Sequence, residues 1–167
     1  MQKTVLLLGN IYSDQKKYDK AIALYKQYSS GKNGEFSAEC MYKTAICYEN
    51  SGRTDLSSNT FSSVYDKYPV SANAEESLYR AGEVYYMKGM YKEAAPKFAV
   101  YSDTFKRGEY TEQALYYEFD SWLKSENKAK AILAGNKFMT RTPDPLSDGR
   151  FQDKVLEELY NLHYERS

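Results

Sequence analysis

The side chains that could support catalysis or metal binding in this sequence are few and widely separated. Cys40 and Cys47 are seven residues apart, and the single histidine is His163, near the end of the chain. On one helix the two cysteines would lie about 10 Å apart along the axis, which is too far for a disulfide. One distant histidine does not complete a metal site with them. We therefore predict two partly buried structural thiols, a histidine that is either stabilised by the dipole at a helix C-terminus or partly packed, and no metal site.

Other residue types that often carry chemistry also lack a catalytic arrangement. The acidic pairs Glu75–Glu76 and Glu157–Glu158 are adjacent in sequence. Adjacent residues on a helix point in different directions, so these pairs are predicted to be solvated rather than to act as acid and base. The sequence has no glycine-rich phosphate loop after a strand, no HExxH and no GxSxG. We predict that the chain is not an enzyme and binds no cofactor.

The elements that would position any site repeat along the chain. A small residue stands at Gly9, Ala45 and Gly82, at intervals of 36 and 37 residues. The same interval relates an aromatic position, a second small position and a large position: Tyr12, Tyr48, Tyr85 and Trp122; Ala21, Ser57, Ala94 and Ala131; Tyr25, Phe61, Phe98 and Gly135. The fourth repeat fits worst, because Phe119 is large where the other repeats have a small residue and Gly135 is small where they have a large one. Such a period is typical of stacked helical units that bury their apolar faces against their neighbours.

This pattern of Leu-Gly, Tyr, Ala, Phe and a closing Pro resembles the tetratricopeptide repeat. The resemblance implies an all-α, right-handed α-solenoid that forms a single domain over residues 1–167. Its four helix-turn-helix repeats would span 2–33, 38–69, 75–106 and 112–143, before a terminal helix at about 148–164. The segments KYPVS and EESLYR also resemble one bacterial envelope branch. That branch includes the repeat-bearing lipoprotein of outer-membrane barrel assembly and the Tol–Pal-associated periplasmic coordinator.

The spacing of apolar residues predicts the helices independently. Apolar side chains recur three and four residues apart, as at Val5, Leu8 and Ile11. We predict about nine helices and no sheet, with turns near residues 15–17, 51–53, 88–90 and 125–127. Pro96 lies past the first turn of its helix, so it should remove one backbone hydrogen bond there.

The two ends of the chain carry apolar helices. Met1 opens within a helix that has no polar cap, so we expect natural sequence to precede it. The terminal helix is expected either to cap the fourth repeat or to be the first helix of a fifth, since Leu156 lies 37 residues beyond Phe119. Its predicted apolar stripe consists of Phe151, Val155, Leu156, Leu159, Leu162 and His163, with Glu157, Glu158 and Glu165 on the other side.

Composition argues against two classes of partner. The 23 basic and 23 acidic side chains give a formal net charge of zero, which does not favour nucleic acid. Apolar runs such as 5–8 and 21–25 are far shorter than the roughly 20 residues that a membrane-spanning helix needs. We predict no membrane insertion in this segment. The cytoplasm and the bacterial periplasm both remain open, and two free thiols slightly favour a reducing compartment.

The resemblance also assigns a candidate binding groove. In resembling proteins the first helix of each repeat lines the concave face, and its central position corresponds here to Leu6, Tyr42, Tyr79 and Tyr116. One turn later that face holds Asn10, Ile46, Glu83 and Asp120, and its edges hold Asp14, Glu39, Glu49, Asn50, Glu76 and Tyr86. The groove is therefore predicted to be a row of tyrosines beside acids. The alternative is that these tyrosines only pack between helices.

The function predicted from the sequence is a non-catalytic protein–protein interaction scaffold. It would bind a protein or peptide of basic character in this groove, with Tyr79 as the central contact. The family's clamp for a terminal carboxylate is not expected, because it needs a lysine where Leu6 stands. A carbohydrate- or lipid-binding groove stays open, because tyrosines also stack on sugars. An RNA-binding helical repeat is less favoured, because it needs a basic groove.

Overall fold

The fold is entirely α-helical in the part of the chain described by the computed structural model, residues 1–31, 34–142 and 150–164. The nine helices there are α1 Gln2–Asp14, α2 Tyr18–Lys26, α3 Gly34–Asn50, α4 Thr54–Lys67, α5 Ala74–Tyr86, α6 Tyr91–Thr104, α7 Thr111–Lys124, α8 Lys128–Arg141 and α9 Arg150–Tyr164. The predicted all-α repeat class is confirmed. Helices α1 to α5 form one compact unit, and α6 to α9 form a second. The single-domain boundaries stay a prediction.

The turns within the helix pairs fall where the sequence predicts them. Each contains one residue with a positive φ, and these residues are Lys16, Gly52, Gly89 and Glu126. They stand at equivalent positions of the four repeats, so each of these turns contains the same left-handed step. That step strains a residue with a Cβ and suits glycine. Helix α6 runs through Pro96, which has no N–H to donate within the helix.

In the first unit, paired helices approach closely at the small positions. A Cβ added at Gly9 would collide with the ring of Tyr25, a side chain with no exposed surface. In the next pair the hydroxyl of Ser57 donates a hydrogen bond of 2.9 Å to the carbonyl of Ala45 on α3. Small residues at these positions therefore allow the paired helices to approach closely. The first helices of this unit also contact one another, α1 with α3 and α3 with α5.

In the second unit, the exchange of large and small residues in the fourth repeat is compensated. Phe119 is 1% exposed. A Cβ added at Gly135 would lie 3.1 Å from the Cδ2 of Phe119 and 2.8 Å from the Cδ2 of Leu159. The missing side chain at Gly135 therefore leaves the space that Phe119 and Leu159 occupy. The repeat keeps its core although both residues depart from the pattern.

Helix α9 buries a narrower stripe than the sequence predicts. Val155, Leu159 and Leu162 are buried, whereas Leu156 is 57% exposed and His163 is also exposed. The buried residues follow the helical spacing of four and three, and Leu156 and His163 each stand one residue beyond that stripe. Placing the latter two in the stripe was wrong.

The contacts of α9 match those of a first helix. It packs against α8 and α7, as α5 packs against α4 and α3 in the first unit. A capping helix and the first helix of a further pair would both make these contacts, so both predictions for the terminal helix fit them. Predictions at Asn33, Pro143, Asp148 and Glu165 lie outside the described residues. Within the described residues, no helix is both long and apolar enough to span a bilayer.

The tight packing of α8 gives a test of the repeat register. Ala131 has no exposed surface and belongs to the core that contains Phe119 and Phe138. We expect Ala131→Leu to overfill this core and to lower the free energy of unfolding by about 1–3 kcal/mol. Ala129→Leu is the matched control, because Ala129 is exposed on the same helix. Chemical denaturation that shows equal stability for the two variants would contradict the register.

Candidate functional site: the first-helix face

Five polar side chains on α3 and α5 form the candidate site, which we call the first-helix face: Tyr42, Glu49, Glu76, Arg80 and Glu83. The Tyr42 hydroxyl donates a 2.6 Å hydrogen bond to Oε1 of Glu76. The Tyr42 ring packs edge-on against Phe61, with 5.5 Å between ring centroids. Burial, together with this hydrogen bond, raises the pKa of Tyr42 well above its ordinary value. Tyr42 therefore remains a hydrogen-bond donor.

Arg80 supplies a cation to a surface that the sequence predicts to be acidic. Its guanidinium lies 2.6 Å from Oε2 of Glu49 and 3.1 Å from Oε2 of Glu83. It also lies over the Phe61 ring, at 5.3 Å from the centroid. Burial by itself lowers the pKa of Arg80, but the carboxylates of Glu49 and Glu83 outweigh it and raise that pKa. Burial raises the pKa of Glu83, and Arg80 offsets only part of that effect.

Arg80 is not among the groove residues expected from the sequence. A signal was available, because Glu76 stands four residues before Arg80 and Glu83 three residues after it, and such positions adjoin on a helix. The ion pair with Glu49 joins residues 31 apart in sequence. Only the packing of α5 against α3 creates it.

The other predicted groove residues of the first unit have different surroundings. Asn10 accepts a 2.9 Å hydrogen bond from the Tyr25 hydroxyl, so its side chain supports the core. Tyr79 is 7% exposed. Leu6, Glu39, Ile46 and Tyr86 are half-buried, and Asp14 and Asn50 are exposed. Glu49 and Asn50 also line a pocket of about 340 Å³ with Thr54, Val84, Met87 and Lys88.

In the second unit, the corresponding tyrosine is covered by α9. Tyr116 is 5% exposed and stacks on Phe151, with 4.3 Å between ring centroids. The ammonium of Lys154 lies 5.4 Å from the centre of the Tyr116 ring. A hydrogen bond to Tyr116 raises the pKa of Lys154. Asp120 is 4% exposed, and one of its carboxylate oxygens lies 2.7 Å from Nζ of Lys124.

A second ionic network in this unit was also missed from the sequence. Nζ of Lys137 lies 2.9 Å from Glu118 and 3.1 Å from Asp103, and Asp103 also pairs with Arg141 at 3.0 Å. Burial raises the pKa of Glu118, and the contact with Lys137 offsets part of that rise. Because every charge in this network has an opposite partner, its role is to join α6, α7 and α8.

The two cysteines take the structural role predicted for them, but they are fully rather than partly buried. Cys40 and Cys47 are free and fully buried, and Sγ of Cys47 lies 3.7 Å from the Ser13 hydroxyl. Burial raises the pKa of Cys40 to about 11, so it stays a thiol at neutral pH. His163 lies in the last turn of α9. Within the described ranges, no three His, Cys, Asp or Glu side chains are grouped so that they could hold a metal ion.

The role of Arg80 gives a prediction for Glu83. Arg80→Met removes the cation that stabilises ionised Glu83, so the pKa of Glu83 should rise further above its ordinary value. The folded state would then bind the Glu83 carboxyl proton more tightly than the unfolded state does. Glu83 would therefore cause a larger loss of folding stability as the pH rises from its unfolded-state pKa through its folded-state pKa. The measurement is an NMR titration of the carboxyl carbon. Arg53→Met is the control, because Arg53 pairs with Asp19; equal titration of Glu83 in both variants would contradict the assignment.

Comparisons with known proteins support the helical-repeat fold. No curated protein sequence matches the chain. Among solved structures, MamA 41-end from Desulfovibrio magneticus RS-1 has 17% identity and a TM-score of 0.57, covering 99% of this chain and 97% of that chain. A putative kinesin light chain with TPR-like repeats from Podospora anserina has 11% identity and a TM-score of 0.60, covering 98% of this chain and 87% of that chain. At these identities the likeness concerns the fold alone.

The family is shown by the sequence itself. The model of the tetratricopeptide repeat matches residues 4–30, 39–71 and 76–105, which together make up more than half of the chain. These three ranges correspond to the helix pairs α1–α2, α3–α4 and α5–α6. The chain therefore belongs to the tetratricopeptide repeat family.

Proposed function

We propose that this chain is a non-catalytic protein-interaction module that binds a peptide segment on the first-helix face. Membership of the tetratricopeptide repeat family supports a scaffold role. The observation that carries the proposal is the hydrogen bond between Tyr42 and Glu76, which holds a carboxylate beside an aromatic ring on adjacent first helices. An aromatic ring with a polar tip next to a fixed charge is well suited to anchor a peptide side chain.

The charges of this face favour a basic partner. Its three carboxylates, Glu49, Glu76 and Glu83, are accompanied by one guanidinium, that of Arg80. Glu49 and Glu83 share Arg80, whereas the partner of Glu76 within the described residues is the neutral hydroxyl of Tyr42. A lysine or arginine from a peptide would add the charge-assisted bond that Glu76 lacks. Glu76 is therefore the carboxylate that we assign to the partner.

The burial of the tyrosines moves the expected centre of binding. Tyr79 and Tyr116 are 7% and 5% exposed, whereas Tyr42 is half-buried. Shortening either buried tyrosine would disturb packing, so Tyr42 replaces Tyr79 as the residue whose substitution should report on binding. The wider groove, with Asn10, Asn50, Tyr86 and Asp120, stays a prediction, as does the resemblance to the bacterial envelope branch.

The test is a selection from a random peptide library against the wild-type chain, followed by affinity measurements. Selected peptides should be enriched in Arg and Lys. We expect Glu76→Gln to weaken them about 5-fold or more at low salt, and Tyr42→Phe about 2-fold, because the loss of the hydroxyl releases Glu76. Asp66→Asn is the matched control, because Asp66 is an exposed acid on α4, outside the first-helix face.

Two results would contradict the proposal. One is a selection without enrichment in basic residues. The other is an equal affinity of selected peptides for wild type, Glu76→Gln and Asp66→Asn while all three keep the same helical circular dichroism. In either case the first-helix face would have only a packing role.

A further inference from the structure

A second groove of the first unit lies between its second helices, and we call it the outer groove. It is a pocket of about 340 Å³ in which residues of α2 and α4 form the walls and residues of α3 form the floor. The lining residues are Lys26, Ser29, Ser30, Met41, Thr44, Tyr48, Leu56, Thr60, Ser63 and Lys67. None of them belongs to the first-helix face, so the outer groove is independent of the function proposed above.

One wall of the outer groove is a regular stripe on α4. Leu56, Thr60, Ser63 and Lys67 follow one another at helical spacing on one side of that helix. Leu56 and Lys67 lie 11 residues apart, which corresponds to about 16 Å along the axis. The wall thus begins with an exposed apolar side chain and ends with a cation. An extended segment of about five residues would span it.

The charge of the outer groove has one sign. Lys26 and Lys67 line it, and the described residues that line it include no carboxylate. Among the described residues neither lysine lies within ion-pair distance of an acid, and the closest aromatic partner of Lys26 is the Tyr48 ring, 5.9 Å from Nζ. Two unpaired ammonium groups above a floor of Met41 and Tyr48 favour a ligand with carboxylates and an apolar side chain.

The hydroxyl groups favour a peptide among anionic ligands. Thr60 donates its hydroxyl to the Leu56 carbonyl at 2.6 Å, and Ser63 donates to the Asn59 carbonyl at 2.9 Å. Because both hydroxyl protons are donated to carbonyls of α4, the two hydroxyl oxygens can still accept hydrogen bonds from a ligand through their lone pairs. A peptide supplies backbone N–H donors for such acceptors as well as carboxylates for the lysines, whereas phosphate oxygens only accept.

We propose that the outer groove binds an acidic peptide segment. An apolar side chain of the segment contacts Leu56 and Tyr48, and its carboxylates pair with Lys26 and Lys67. The two faces of this unit would then select partners of opposite charge.

The test is an NMR titration of the isotope-labelled chain with the peptide Leu-Ser-Ala-Glu-Glu, acetylated and amidated. The matched probe is Leu-Ser-Ala-Gln-Gln. We expect the acidic probe to shift amide signals of α2, α3 and α4 with a dissociation constant on the order of 0.5 mM at low salt. The double variant Lys26→Gln/Lys67→Gln should weaken it about 10-fold. Lys3→Gln/Lys20→Gln is the matched control, because both residues are exposed and lie outside the groove.

Each remaining outcome overturns the proposal. Equal shifts with the acidic and the glutamine probe would mean that the lysines do not select charge. The absence of shifts at these amides up to several times the expected dissociation constant would mean that the groove is only a solvated surface. Shifts there with a single-stranded oligothymidine but not with the acidic probe would assign the groove to phosphate instead.

Discussion

Close contact between paired helices at small side chains is the constraint on which this structure depends. The ring of Tyr25 occupies the space that a side chain at Gly9 would need, and Ser57 reaches the backbone of α3 directly. The fourth repeat departs from this rule, but the change is compensated. It has the large Phe119 at the position that is small in the other repeats, and the small Gly135 at the position that is large in them. Protein interiors are packed densely enough that such exchanges must be complementary.

That contact places the first helices side by side and thereby brings distant charges together. In the first unit Arg80 of α5 lies over Phe61, and in the second unit Lys154 of α9 lies over Tyr116. The two cations are 74 residues apart, which is twice the interval of 37. The two rings are not equivalent, because Phe61 belongs to α4 and Tyr116 to α7, but in each unit a cation on a later helix lies over an aromatic ring. Arg80 also reduces the acidity that the sequence predicts for the first-helix face.

Most of the fold could be predicted from the sequence, because its signals are local and periodic. The turns after Asp14, Asn50 and Lys124 follow from the repeat, and the burial of Ala21 and Ala131 follows from their register. The error in α9 has a local cause as well. Leucine and histidine can both belong to a buried helical stripe. Periodicity alone does not show whether a residue one position from the edge of that stripe is buried or exposed.

The candidate site was predicted less well, because it depends on contacts across helices. Tyr42 and Glu76 are 34 residues apart in sequence, and no local pattern reveals their hydrogen bond. The burial of Tyr116 depends on Phe151 of α9, and the sequence left open whether that helix caps the fourth repeat or begins a fifth. The regular spacing of the tyrosines therefore identified a row of positions, but it did not show how much of each ring is exposed.

Hydrogen–deuterium exchange of the chain with and without a library-selected basic peptide tests the central claim most directly. The account predicts slower exchange of amides in α3 and α5 around Tyr42 and Glu76 when the peptide is bound, because a ligand lowers the population of locally opened states at its site. Amides of α9 should exchange at an unchanged rate. Protection confined to α2 and α4, or to α9, would contradict the assignment of the first-helix face as the binding surface.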